Sequence, residues 1–133
     1  MNLTTAISEI KAIVQAATCF VEHSPRVSEY ATPVQDAPNV GVYRVVVMGT
    51  GQIKHAGLTR YVDLAIVTAE PLSGGDANKT NEESALSAEA LITAIEAYDS
   101  ADAMTEESIE ATLNRDAGRS IITISARILY KLT

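Results

Sequence analysis

The feature that most restricts the fold is a strict alternation of residue types near the end of the chain. Ile122, Ile124, Ala126, Ile128, Tyr130 and Leu132 alternate with Thr123, Ser125, Arg127, Leu129 and Lys131. Successive side chains of a strand point to opposite faces of a sheet, so this pattern predicts one long strand with one face in the core and one wetter face. The sequence therefore predicts a sheet, and other segments must supply its remaining strands and the cover for its apolar face.

Two further strands are predicted in the middle of the chain. β-Branched residues dominate Val40–Met48, and Thr59–Ala69 places Val62, Leu64 and Ile66 on one face. The connection between them contains Gly49, Gly51 and Gly57. Glycines between two strand patterns favour an antiparallel hairpin with bulges, whose tip at residues 52–55 projects from the body.

Helical periodicity appears on both sides of this hairpin. Apolar residues at steps of three and four predict a helix from Leu3 to Glu22, capped by Asn2 or Thr4. A second helix is predicted up to about Tyr98, begun by a capping box of Thr80 and Glu83 and buried through Leu86, Leu91, Ile95 and Tyr98. A short third helix is predicted from Thr105, with Glu106 and Glu107 in its first turn, Ile109 and Leu113 as anchors and Gly118 near its end.

Two segments are predicted to lack regular structure. Residues 23–39 contain three prolines and form an irregular connection, with Val27–Tyr30 as a short edge strand inside it. The segment from Glu70 to Glu83 is polar and contains Gly74 and Gly75, so we expect a mobile loop at about 70–81.

The order of elements predicts a single α+β domain over residues 1–133. The sheet is mainly antiparallel, both main helices pack on one of its faces, and the chain ends in the long strand. Matching periodicities predict the core, in which one row of sheet residues packs against one row of helix residues. The sheet row is Val62, Leu64, Ile66, Ile122, Ile124 and Ile128, and the helix row is Ile7, Ile10, Val14, Leu91 and Ile95.

Composition excludes several classes of function. The 133 residues include ten basic and seventeen acidic side chains, a net charge of −7. This balance argues against a nonspecific nucleic-acid clamp and against docking on an anionic membrane. No signal peptide or membrane segment is visible, so we expect an intracellular location. The single cysteine, Cys19, excludes an internal disulfide or a cysteine-rich zinc site and is interpreted as a small hydrophobic residue of the core or its boundary.

No catalytic, cofactor or metal motif is found. Gly49 and Gly51 lack the third glycine and the following helix of a dinucleotide fingerprint. The acidic pairs Glu82–Glu83 and Glu106–Glu107 fall in predicted first helical turns, where carboxylates favour the helix dipole. Lys54 and His55 at the hairpin tip form either a small polar binding patch or a solvated loop.

Aromatic and basic residues on the predicted strands point to contacts. Tyr43, Tyr61 and Tyr130 are predicted to form a cross-strand aromatic patch. Arg44, Arg60 and Arg127 lie among apolar neighbours, where an unpaired charge is costly. We therefore expect carboxylate partners for them, either within the fold or across a subunit interface.

Two short stretches join the element order in pointing to a known family. The first is Asp36-Ala37-Pro38-Asn39-Val40-Gly41-Val42-Tyr43, an acidic-x-Pro entry into the first hairpin strand. The second is Arg115-Asp116-Ala117-Gly118, which leads into the final strand. With this element order and these stretches, the sequence resembles the tail terminator (minor tail, tail-completion) proteins of long-tailed bacteriophages.

The resemblance implies a structural virion protein without catalytic role or cofactor. Such proteins form a hexameric ring that caps the finished tail tube and joins tail to head. The implied partners are further copies of the chain, the tail tube protein and a head-completion or connector protein, with DNA passing through the lumen without specific binding and no membrane contact. Assembly takes place in the host cytoplasm and the final location is the virion. The interface candidates are Gln52, Ile53, Lys54, His55, Arg44, Arg60 and Arg127.

Two alternatives stay open at this stage. One is another ring of the head-tail neck, such as a connector. The other, from a different class, is a small monomeric α+β binding module or an enzyme with no recognisable motif. A hexamer in solution favours a ring, whereas a monomer with a closed polar pocket favours an enzyme.

Overall fold

The fold is described from a computed structural model, which covers residues 1–22, 41–53, 59–71, 81–106, 109–116 and 119–132. Two helices and six strands follow in the order α1 (Leu3–Thr18), β1 (Val21–Glu22), β2 (Val42–Gln52), β3 (Thr59–Pro71), α2 (Asn81–Glu96), β4 (Ala103–Thr105), β5 (Glu110–Asp116) and β6 (Arg119–Lys131). This is the predicted α+β class, with a mainly antiparallel sheet that ends in a long strand.

The sheet is built around two long central strands. Its order is β1-β2-β3-β6-β4, and β5 also pairs with β6, on the edge that β4 shares. β3 and β6 pair in register from Thr59 opposite Lys131 to Pro71 opposite Arg119. β1 pairs with β2 in parallel, and the other neighbours are antiparallel. The predicted hairpin is confirmed as β2 and β3, with a bulge between Val47 and Gly49.

Both helices contribute to one main core on one face of this sheet. Every residue of the predicted sheet row and helix row belongs to it, with Ile7 half-buried at its margin. Val62, Ile66, Ile124 and Ile128 are fully buried. Burial of side chains of this size stabilises the fold by about 1.5–3 kcal/mol each. The predicted core and the alternation in the last strand are therefore confirmed.

Helix α1 is shorter than predicted. Asn2 caps it, since its side chain accepts a hydrogen bond from the Thr5 N–H at 2.8 Å. The helix ends at Thr18 because Cys19 takes a left-handed conformation, with φ of 59°, and its N–H donates to the Gln15 carbonyl. Val21 then pairs with Val42 and is exposed. Cys19 is also exposed, so its assignment to the core or its boundary was wrong.

Helix α2 ends two residues before the predicted end, at Glu96. Ala88, Leu91, Ile95 and Tyr98 are buried, whereas Leu86 is 59% exposed. Leu86 was therefore wrongly placed in the core, because the buried row of this helix begins with Ser84 and continues through Ala88. Thr80 of the predicted capping box lies outside the described residues. So do residues 23–40, which include the predicted edge strand Val27–Tyr30.

The predicted third helix is wrong. Thr105 ends β4, and Ile109 precedes β5, which includes Leu113 and pairs with β6 along its whole length. Tertiary pairing with a long buried strand outweighs the weak helical preference of the local sequence. The mobile loop expected at about 70–81 is wrong for its first two residues, because Glu70 and Pro71 pair with Ser120 and Arg119. Asn81 begins α2, and residues 72–80 lie outside the described residues.

Candidate interaction surface

The sheet face away from the helices divides into an apolar half and a polar half. Val42, Val67, Ala69 and Ile121 form a second buried cluster at one end of this face. Towards the other end lie Tyr61, Asp63 and Arg127, which are all partly exposed. We take this polar half as the candidate interaction surface, because it presents a charged cluster that the two helices do not cover.

Asp63 and Arg127 hold each other in a fixed geometry. They are direct neighbours across β3 and β6. The guanidinium donates through Nε to Oδ1 at 2.7 Å and through Nη2 to Oδ2 at 3.1 Å. Such forked pairing fixes direction as well as distance. The hydrogen bond to Asp63 raises the pKa of the Arg127 guanidinium above its ordinary value. The expected carboxylate partner within the fold is thus confirmed for Arg127.

Tyr61 and Glu106 complete the surroundings of this arginine. The Arg127 guanidinium carbon lies 4.1 Å from the centre of the Tyr61 ring, which is the geometry of a cation–π contact. The Glu106 carboxylate is 3.7 Å from Arg127 Nε. One cation therefore faces two carboxylates and an aromatic ring, so the cluster as a whole is acidic.

The position of the Tyr61 ring depends on a glycine in the opposite strand. Gly51 pairs with Tyr61, and a Cβ at Gly51 would lie 2.5 Å from the ring. Only a residue without a side chain lets the ring lie over β2 in this way. Glycine opposite an aromatic residue is a known device for stabilising a sheet near an edge.

A shallow groove runs from this cluster towards the edge of β5. Its lining includes Met48, Asp63, Glu106, Glu110, Ser125 and Arg127. Asp63 and Arg127 are occupied with each other, and each side chain is more than one third exposed. These groups can make polar contacts with a partner. They do not form a pair of desolvated acid and base of the kind that hydrolytic enzymes use.

The structure places the other interface candidates at two different ends of the sheet. Gln52 pairs with Arg60 near the hairpin tip, and the Ile53 N–H donates to the Thr59 carbonyl at 3.1 Å. Lys54 and His55 lie outside the described residues. Arg44 is 4% exposed and pairs with Val67, a member of the second buried cluster. Val67 is four residues along β3 from Asp63, the partner of Arg127, so the candidates do not form one patch.

The guanidinium of Arg60 contains a buried hydrogen-bond donor, the Nη1 atom, without a partner among the described residues. A buried donor without a partner costs free energy, so a group from outside the described part of the subunit would be stabilising there. The expected carboxylate partner of Arg60, within the fold or across a subunit interface, stays a prediction.

The predicted aromatic patch does not form. Tyr43 pairs with Thr68, Tyr61 with Gly51 and Leu129, and Tyr130 with Arg60. The three rings therefore lie at different positions, because the hairpin is long and its register separates Tyr43 from Tyr61 by most of its length.

The acidic pairs also differ from expectation. Glu82 lies in the first turn of α2 as predicted, but Glu106 follows β4 and faces Arg127.

Asp63, Met48 and Tyr61 are the surface residues that the interface prediction missed. Asp63 stands on the wet face of a strand whose other face is strongly apolar, and this alternation is visible in the sequence. The pairing of Asp63 with Arg127 is not visible in the sequence, because the pairing depends on the register of two strands that are far apart in the chain.

A separate crevice lies between the two helices and the sheet. Its volume is about 250 Å³, and its lining includes Thr18, Thr68, Glu70, Ser87 and Ser120. The Ser84 and Ser120 hydroxyls form a buried hydrogen bond of 3.0 Å near its floor. Glu70 is the one ionisable side chain among the described lining residues.

No protein-family model and no curated protein matches the chain. Within the described ranges there is no group of three or more histidine, cysteine or acidic side chains able to hold a metal ion. None of the described helices is long and apolar enough to cross a membrane.

Proposed function

We propose that this protein is a structural subunit of a phage virion, of the tail terminator kind. In this proposal, copies of the chain form a hexameric ring that caps the finished tail tube and joins it to the head. The protein is not an enzyme and needs no cofactor. Its partners are its own copies, the tail tube protein and a head-completion or connector protein.

The observation that carries the proposal is the placement of strand edges in the described part of the subunit. In the part of the chain that the structure describes, β5 pairs with β6 alone, and β2 beyond Tyr43 pairs with β3 alone. An exposed edge offers unpaired backbone donors and acceptors to another chain. A subunit with an edge on each side of its sheet is suited to repeated side-by-side association.

Two further features support the same proposal. The stretches that carry the resemblance lead into β2 and join β5 to β6, so both adjoin a strand that the proposal uses. The net charge of −7 suits a ring whose lumen conducts DNA without holding it, because negative walls repel phosphates.

Negative-stain electron microscopy of the purified full chain tests this proposal. We expect ring-shaped particles with a central opening and six-fold symmetry. A matched variant, Lys54→Glu with His55→Glu, replaces one positive charge with a negative one and adds a second negative charge at the predicted contact. Like charges at an interface are repulsive, so this variant should form fewer rings while keeping its circular dichroism spectrum. Isolated small particles from the unmodified chain at every concentration would overturn the proposal.

A further inference from the structure

We propose that the β5 edge of one subunit receives β2 of a second copy, head to tail, as the next antiparallel strand of a continuous sheet. The proposal rests on the ring function above and names the surfaces that would join the subunits. It follows from strand direction, from the faces on which apolar side chains lie, and from the distribution of charge.

Strand direction favours this pairing. β2 is antiparallel to β3, β3 to β6, and β6 to β5. β5 and β2 therefore run in opposite directions within one subunit. A second copy placed beside the first without inversion presents its β2 antiparallel to β5. Seven residues of β5 offer an edge of roughly 24 Å.

The apolar side chains of both edges lie on the same face. Val47 pairs with Leu64 in the main core and is 36% exposed. Leu113 pairs with Ile122, also in the main core, and is 41% exposed. Both side chains therefore stand on the helix side of the sheet, at its two opposite edges. In a continuous sheet they would become neighbours on one face.

A groove lies beside β5, where side chains of such a strand would be placed. Helix α2 and β5 border a shallow, open groove of about 200 Å³, lined by Ala85, Ala88, Glu89, Ile92, Ala111 and Leu113. Three alanines and two larger aliphatic residues line it beside Glu89, so it suits medium-sized aliphatic side chains. Val47 and its strand neighbour Val45 are side chains of this size at the spacing of two residues that one strand face requires.

Charge selects a head-to-tail arrangement over pairing of two β5 edges. Residues 81–116, which form α2, β4 and β5, contain ten acidic residues and one basic residue, whereas the rest of the chain contains seven acidic and nine basic residues. Two β5 edges facing each other would bring two strongly acidic surfaces together. The β2 edge from Val45 to Ile53 has no charged residue, so it meets the acidic side of its neighbour without repulsion.

A mixing experiment with full-length variants tests the proposal. Leu113→Glu blocks the β5 edge and Val47→Glu blocks the β2 edge. Leu86→Glu is the matched control, because Leu86 is 59% exposed on α2 and lies outside the groove. Each variant adds one negative charge at a partly exposed position. Circular dichroism checks the fold, and sedimentation velocity measures the mass.

The expected result has two parts. Leu113→Glu and Val47→Glu alone each sediment as a monomer of 14.1 kDa, while Leu86→Glu assembles like the unmodified chain. When the two edge variants are mixed, each still has one intact edge, so they form a heterodimer of twice the subunit mass. If either edge variant fails to fold, Ala85→Glu replaces Leu113→Glu or Met48→Glu replaces Val47→Glu.

Other outcomes overturn the proposal in recognisable ways. A self-dimer of Val47→Glu indicates pairing of two β5 edges, and a self-dimer of Leu113→Glu indicates pairing of two β2 edges. Rings that persist in both variants show that the ring exists but uses another surface, which leaves the proposed function intact. An unmodified chain that stays monomeric contradicts both proposals. Head-to-tail filaments that the variants abolish support the edges and contradict the closed ring.

Discussion

Ile124 lies at the centre of the main core, with no exposed surface, between the long strands and the helices. Truncation to alanine removes buried methyl groups and leaves a cavity that the surrounding side chains only partly fill. We therefore expect Ile124→Ala to lower the free energy of unfolding by about 2–5 kcal/mol.

Urea unfolding measures this effect, and Leu86→Ala is the matched control. Leu86 is largely exposed, so its truncation should change the free energy of unfolding by less than about 0.5 kcal/mol. A loss below about 0.5 kcal/mol for Ile124→Ala would mean that this face of β6 is not in the core.

Two glycines of β2 offer a matched pair of substitutions. A Cβ at Gly51 would press on the Tyr61 ring, whereas a Cβ at Gly49 finds its nearest atom, Asp63 Oδ2, at 3.9 Å. Gly51→Ala should therefore displace Tyr61 from Arg127 and lower stability by about 1–3 kcal/mol. Gly49→Ala should be close to neutral. Thermal unfolding of the two variants compares them directly, and equal effects would contradict the assigned packing.

Tyr98 gives the subunit a predictable response to alkaline pH. Its hydroxyl donates to Glu9 and joins the end of α2 to α1. Burial raises the pKa of the Tyr98 phenol above its ordinary value of 10, and the hydrogen bond to Glu9 raises it further. Since the folded pKa is above the unfolded one, this stabilisation is complete below about pH 10 and is lost as the pH rises further.

Tyr98→Phe tests this linkage. Above pH 10 the unfolded tyrosine ionises before the folded one, so the unmodified chain should lose stability with rising pH. The variant should lose it less steeply. A part of the slope should remain, because burial also raises the pKa of Tyr43. Urea midpoints measured across the alkaline range report the slopes, and identical slopes for both proteins would argue against the Tyr98 contact.

At the scale of elements, the first turn of α1 distinguishes two candidate caps. Asn2 accepts a hydrogen bond from the Thr5 N–H, whereas Thr4 is an exposed residue inside the helix. Loss of an N-cap oxygen leaves a backbone donor unpaired. Asn2→Ala should cost about 1 kcal/mol, and Thr4→Ala should leave stability unchanged or slightly raised. Denaturant midpoints measure both, and a larger cost at Thr4 would contradict the assigned cap.

Elements with strong periodicity could be predicted from the sequence, and those set by distant pairing could not. The alternation in β6 and the β-branched run in β2 identified both strands. β5 was missed because its alanine, leucine, glutamate and arginine are good helix formers and Ile109 and Leu113 have helical spacing. Its strand conformation depends on hydrogen bonding to β6, which a local pattern does not report.

The candidate surface was predictable only in part for the same reason. Arg127 could be expected to have a carboxylate partner, because it lies on a strand among apolar residues. That this partner is Asp63 could not be predicted, because it depends on the register of β3 against β6. The register of the hairpin likewise separates Tyr43 from Tyr61, although the sequence places both residues on its two strands.

At the scale of the whole molecule, the two sides of the sheet differ in charge. The α2–β4–β5 side is acidic and ends in the seven-residue edge of β5. On the opposite side the short β1 pairs with Val42 and Tyr43 of β2, and the segment that follows, from Val45 to Ile53, is uncharged. Such polarity favours heterologous contacts between identical subunits, and heterologous contacts that close generate rings.

Native mass spectrometry of the unmodified full-length chain tests the central claim most directly, because it counts the subunits in the assembly. We expect a dominant species of six times the 14.1 kDa subunit mass, with few intermediates once the ring can close. A spectrum that contains only the monomer, or a dimer that does not grow with concentration, would contradict it.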